Sequence, residues 1–139
     1  IKYFVKPTDK QIIKLYNLAT VFVQTSFHEG FSLPALEAMA CGCPVITTNA
    51  DGNMDFCKEG INCLMVDKED PKELSEKILH LLNNPDLQDK LRNEGLKTAG
   101  NYDWDIKISE LEKFYKKIAK KKLYSVNVEN EFDLNKSIF

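Results

Sequence analysis

Three short apolar runs, at residues 21–25, 44–48 and 63–66, alternate with stretches of helical spacing, and this alternation restricts the fold more than any other feature of the chain. Strands joined through helices run parallel, and a parallel sheet needs helices on its faces. Residues 1–5, Ile-Lys-Tyr-Phe-Val, read as one more strand. The expected fold class is therefore α/β: a Rossmann-like parallel sheet of about four strands flanked by helices, with a helical C-terminal third.

The intervening segments carry helix signals. Thr8 and Gln11 have the spacing of a capping box, and Ile12, Leu15, Tyr16 and Ala19 share one face, which predicts a helix over 9–19. Ser32 is placed to cap a short helix with Pro34 in its first turn, and Gly42 stops it. Asp70-Pro71 and Asn84-Pro85 open two more helices, the first with Leu74, Ile78, Leu81 and Leu82 in one stripe. Residues 105–123 carry Ile108, Leu111, Phe114, Tyr115 and Ile118 at helical spacing. Residues 1–124 read as one domain, and 125–139 as a tail ordered only if something else holds it.

With 139 residues, 43% of them hydrophobic, the chain suits one domain with one core. Nineteen basic against 21 acidic residues leave a formal charge of -2, so its overall field attracts neither nucleic acid nor an anionic membrane. No long apolar run and no leader pattern occurs, and a cytoplasmic location is expected. A start at Ile1 within a strand-like run suggests a chain cut from something longer. Cys41, Cys43, Cys57 and Cys63 lack zinc-knuckle spacing and are expected to act as small hydrophobes. Lys113, Lys116, Lys117, Lys120, Lys121 and Lys122 crowd the last helix, where they complement its dipole. Contact with the inner face of a membrane is a second reading of them.

The chemistry concentrates in residues 26–45. A loop that follows a strand and runs into a helix N-terminus is where open parallel sheets bind ligands. Gly30 lets backbone approach a ligand closely, and the free N–H groups of residues 32–35, less one at Pro34, face the space in front of the helix, a suitable seat for a diphosphate. At about 100 degrees per residue, Glu37 projects among Leu33, Leu36, Ala40 and Cys41, so its carboxylate is expected within an apolar face. Glu29 offers a second carboxylate on the same rim. Carboxylates accept hydrogen bonds from vicinal hydroxyls of a ribose or hexose, and two of them near one anion seat suggest a nucleotide sugar. A solvated Glu29 and a Glu37 paired with an internal donor are the bland alternatives, and His28 is weaker still as a candidate.

The block Glu29-Gly-Phe-Ser-Leu-Pro-Ala-Leu-Glu37-Ala-Met-Ala-Cys-Gly-Cys-Pro-Val45 resembles the Glu-x7-Glu signature of retaining GT-B glycosyltransferases of the large group 4 family. Asp51-Gly-Asn-Met-Asp55, Glu59-Gly-Ile-Asn-Cys-Leu-Met-Val66 and Tyr102-Asp-Trp104 are similar to later motifs of that family, so the likeness covers about residues 1–120. It implies the C-terminal, donor-binding domain of a hexosyltransferase that works without a metal or other cofactor. Glu37 would hold the donor ribose and Glu29 the sugar hydroxyls, as the catalytic carboxylate. Backbone at Gly30, Phe31, Ser32 and Leu33 would meet the sugar and diphosphate, and Gly52 and Asn53 would form a donor loop. The implied partners are a UDP-, GDP- or dTDP-hexose donor and a glycan or lipid-linked acceptor, in polysaccharide or glycoconjugate assembly.

The likeness departs where family members carry Gly at the position of Asp51 and Pro-Glu at Met54-Asp55. The family's basic diphosphate clamp and its N-terminal acceptor domain are expected upstream of Ile1, so this chain alone is not expected to catalyse. A non-catalytic nucleotide or phosphosugar-binding module is the alternative class. Dehydrogenase and P-loop readings fail for want of G-x-G-x-x-G and G-x4-G-K-[ST].

Overall fold

A computed structural model describes residues 1–125. The order is α1 (Asp9–Leu18), β1 (Phe22–Gln24), α2 (Leu33–Ala40), β2 (Val45–Thr48), β3 (Leu64–Val66), α3 (Pro71–Leu82), α4 (Pro85–Gly100) and α5 (Trp104–Ser125), with a 3-10 turn at Asp51–Asn53. The strands form one parallel sheet in the order β1-β2-β3. The first compact unit is Ile1–Tyr102, and a second begins at Asp103 and contains α5.

Side-chain alternation along the strands sends apolar groups to both faces of the sheet. Phe22, Val45 and Met65 join Ala35, Ala38 and Met39 of α2 on one face. Val23, Ile46, Leu64 and Val66 join Leu81 of α3 and Leu91 of α4 on the other. The middle strand β2 is buried throughout. Cys43, Cys57 and Cys63 lie in the core as free thiols, in the hydrophobic role expected of them. The Asp70 side chain caps α3 by accepting from the Glu73 N–H at 2.8 Å, and Asn84 caps α4 through the Leu87 N–H at 3.1 Å, each just ahead of its proline.

Two expectations need correction. The sheet has three strands among the described residues rather than about four, because residues 1–5 form none. Ile1, Tyr3, Phe4 and Val5 are exposed beside no ladder partner, and an alternating run becomes a strand only where a neighbour supplies hydrogen bonds. Helix α1 forms over the expected residues without burying any of them fully, and Thr8 N–H donates to Gln11 Oε1 at 2.9 Å in the foreseen capping box. On α2 the buried face is Ala35, Ala38 and Met39, so Glu37 is exposed rather than enclosed. The helix is apolar on two faces, and the sheet takes only one of them. Of the 125–139 tail, all but Ser125 lies outside the described residues.

Candidate functional site

The site loop begins at Gln24, the last residue of β1, which aligns with Thr47 of β2. Gln24 Nε2 donates to Glu29 Oε1 at 2.5 Å, and Gln24 Oε1 accepts from Ser32 Oγ at 2.6 Å. The loop is also fastened to the middle strand, where Thr48 Oγ1 donates to the Ser26 carbonyl at 2.5 Å. Ser32 stands at the N-cap of α2 but makes no side-chain cap bond, which corrects the expected capping role. Its fully buried hydroxyl is turned to Gln24 instead. The expected row of free N–H groups is shorter by one more, since Leu33 N–H donates to the Phe31 carbonyl at 2.9 Å.

Behind this loop sits the 3-10 turn. Gly52 N–H donates to the Glu29 carbonyl at 2.9 Å, and a Cβ on Gly52 would stand 2.6 Å from the Glu29 and Gly30 carbonyl oxygens. Gly52 is therefore a buried buttress against the loop rather than an open donor contact. Asn53 is also fully buried, and its Nδ2 donates to Thr47 Oγ1 and the Thr48 carbonyl, both at 2.8 Å. That amide nitrogen is spent inside the turn, although the sequence suggests a hydrogen bond from it to the donor. Gly30 differs from Gly52, because nothing lies within 4 Å of where its Cβ would be. The crown of the loop is open to a ligand, and its backbone is fixed from behind. Phe31 leans on Phe56 and Tyr102, with ring centroids 5.4 and 5.7 Å away, and is partly exposed.

Glu37 has other partners. A cleft of about 350 Å³ runs between α1 and α2, lined by Ile12, Ile13, Tyr16, Glu37, Ala40 and Cys41 with Asp9 at one end. Tyr16 Oη donates to Glu37 Oε2 at 3.4 Å. Burial, with the Glu37 carboxylate beside it, pushes the Tyr16 phenol up from 10.0 to about 12, so at neutral pH it is a hydrogen-bond donor. The folded value lies above the ordinary one. The associated stability is therefore fully present below pH 10.0 and is lost as pH rises through about 12. Glu37→Gln is expected to move the phenol part of the way back, since burial is the larger cause. Ultraviolet difference titration against Tyr16→Phe reads this, and an unmoved phenol would contradict the pairing.

The structure thus gathers Glu29, Gly30 and Ser32 into one fastened loop at the C-terminal end of β1, backed by Gly52 of the 3-10 turn, and sets Glu37 on the outer face of α2 toward α1. Gln24 and Tyr16 were invisible to motif reasoning. A polar residue closing the apolar run of residues 21–23 was the available signal for Gln24, whereas Tyr16 reads as one more residue of an apolar stripe.

A parallel α/β sheet flanked by helices, with its polar loop at the strand C-termini, matches the C-terminal domain of GT-B proteins, and comparison with known proteins gives the family. Residues 2–98 match the family described as Glycosyl transferases group 1, and the chain belongs to it. The capsular polysaccharide biosynthesis glycosyltransferase CapM of Staphylococcus aureus is 37% identical over 109 residues, covering 78% of this chain and 29% of CapM. The solved C-terminal domain of a glycosyl transferase group 1 family protein (LpcC) from Francisella tularensis is 28% identical with a TM-score of 0.65, covering 72% of this chain and 51% of that one. A variant of TarM from S. aureus, solved with Fondaparinux, alpha-GlcNAc-glycerol and UDP, is 25% identical with a TM-score of 0.69, covering 81% of this chain and 23% of that one. The chain spans 29% of CapM, well under two thirds of the length of this curated relative.

Proposed function

We propose that this chain is the donor-binding portion of a retaining glycosyltransferase that moves a hexose from a nucleoside diphosphate to a glycan or lipid-linked acceptor. The observation that carries the reading is the fastened loop, which presents the Glu29 carboxylate and the open Gly30 backbone beside the N-terminus of α2. The positive end of that helix suits the diphosphate, and Glu37 at the cleft suits the vicinal hydroxyls of the ribose. Glu29 then meets the hydroxyls of the transferred sugar.

In this reading the acceptor hydroxyl forms the new bond to the anomeric carbon on the face from which the diphosphate departs. The bond between that carbon and the phosphate oxygen breaks, and the acceptor's proton passes to the leaving diphosphate. Stabilisation is electrostatic, from backbone dipoles directed at the charge that develops on the leaving group. No protein nucleophile and no metal take part. The complex of TarM with UDP supports a uridine donor, and the likeness to CapM supports a role in polysaccharide assembly. Among the described residues no helix is long and apolar enough to cross a membrane. The isolated chain is expected to bind a nucleoside diphosphate in a manner that depends on Glu37, and to leave the acceptor untouched. Calorimetric or ligand-observed NMR titration with UDP, GDP and dTDP tests this, and binding left unchanged by Glu37→Ala would overturn the reading.

A further inference from the structure

Gln24 lies outside the Glu29-to-Glu37 block, yet it is the joint on which the site loop is hung. Its amide is used in both senses: Nε2 donates to Glu29 Oε1 at 2.5 Å and to Ser26 Oγ at 3.3 Å, and Oε1 accepts from Ser32 Oγ at 2.6 Å. A side-chain amide carries both a donor and an acceptor at one position. A carboxylate there would repel Glu29, and a hydrocarbon would leave both a charged oxygen and a fully buried hydroxyl without this partner.

Two consequences follow from the geometry. The Glu29 carboxylate is held by its Oε1, so Oε2 is the oxygen presented to a ligand, and it favours one sugar hydroxyl in one direction. The Ser32 hydroxyl is drawn toward the strand and makes no cap bond at the start of α2, which keeps that side chain out of the space where the diphosphate is placed. Glu37 shares none of these contacts, because its partner is Tyr16.

We propose that Gln24 is a positioning residue of the donor site, one that sets the discrimination between a sugar-bearing donor and the bare nucleoside diphosphate by fixing the Glu29 carboxylate through its side-chain amide. This rests on the donor-site reading above. Where the Ser32 hydroxyl keeps its acceptor, as in Gln24→Glu, contacts to the nucleotide remain and the sugar end loses its fixed acceptor. A residue with a purely scaffolding role would weaken both ligands together.

The test uses the whole 139-residue chain. Wild type, Gln24→Leu and Gln24→Glu are titrated with UDP and UDP-glucose, with GDP and GDP-mannose, and with dTDP and dTDP-glucose, and thermal unfolding is recorded alongside. Gln24→Glu keeps an acceptor for Ser32, removes the donations to Glu29 and Ser26 and sets a second carboxylate against Glu29, so it serves if the leucine variant does not fold. The expected result is that the affinity ratio of sugar donor to diphosphate falls about tenfold in both variants, equivalent to about 1.4 kcal/mol, while diphosphate affinity in Gln24→Glu stays within about twofold. An unchanged ratio, or parallel loss of both ligands, overturns the role of Gln24 and leaves the donor site standing. A wild-type chain with no preference for any sugar donor over its diphosphate overturns the reading of Glu29 as the sugar contact, and this inference with it.

Discussion

Gly52→Ala is expected to cost about 3 kcal/mol of stability and to abolish donor binding. The added Cβ would stand 2.6 Å from the Glu29 carbonyl oxygen and from the Gly30 carbonyl carbon and oxygen. Those are backbone atoms, which cannot swing aside as a flexible side chain can. The backbone of Gly52 does not lie in the left-handed region, so the whole effect is steric. The turn must separate from the loop, the hydrogen bond from Gly52 N–H to the Glu29 carbonyl is lost, and the loop that carries Glu29 and Gly30 moves with it. Gly30→Ala is the control, since its Cβ meets nothing within 4 Å. That variant should keep its stability to within about 1 kcal/mol and weaken binding only by filling space that a ligand would take. Denaturant unfolding of both variants reads the difference. Equal stabilities for Gly52→Ala and wild type would show that the turn does not buttress the loop.

Met39→Ala is the second large effect, an expected loss of about 3 kcal/mol. Met39 is 1% exposed and fills the space between the sheet and α4, where a Cβ on Gly95 would already approach its Cγ to 3.3 Å. Interiors are close-packed, so truncation leaves a cavity that α2 and α4 cannot both close. Glu37→Ala, two residues away on the outer face, should shift stability by no more than about 0.5 kcal/mol. Only a weak bond to Tyr16 is lost there. The contrast between the two reports which face of α2 is core, and a costly Glu37→Ala beside a neutral Met39→Ala would reverse the assignment.

That contrast also marks where sequence reasoning stopped. The wheel angle puts Glu37 among Leu33, Leu36, Ala40 and Cys41, but α2 has two apolar faces, and only tertiary packing decides that Ala35, Ala38 and Met39 meet the sheet while Leu36 packs against that core. The parallel order of β1, β2 and β3 was legible from the alternation of apolar runs with helices, and the starts of α3 and α4 from Asp70-Pro71 and Asn84-Pro85. Residues 1–5 carried a strand pattern without a partner, and local propensity holds no information about partners. In the site, Glu29, Gly30 and Ser32 were found from their place after a strand and before a helix. Gln24, Gly52 as buttress and the inward turn of Asn53 depend on contacts between segments distant in sequence, which spacing alone does not encode.

The central claim is that a nucleoside diphosphate occupies the space between the Glu29 loop and the α1–α2 cleft. It is tested most directly by titrating the chain and its Glu37→Ala variant with UDP, GDP and dTDP by calorimetry or ligand-observed NMR. One of the three is expected to bind wild type, with affinity at least about tenfold weaker in the folded variant, the loss that follows when a charged acceptor of ligand hydroxyls is removed. Identical binding by Glu37→Ala and wild type would contradict the claim.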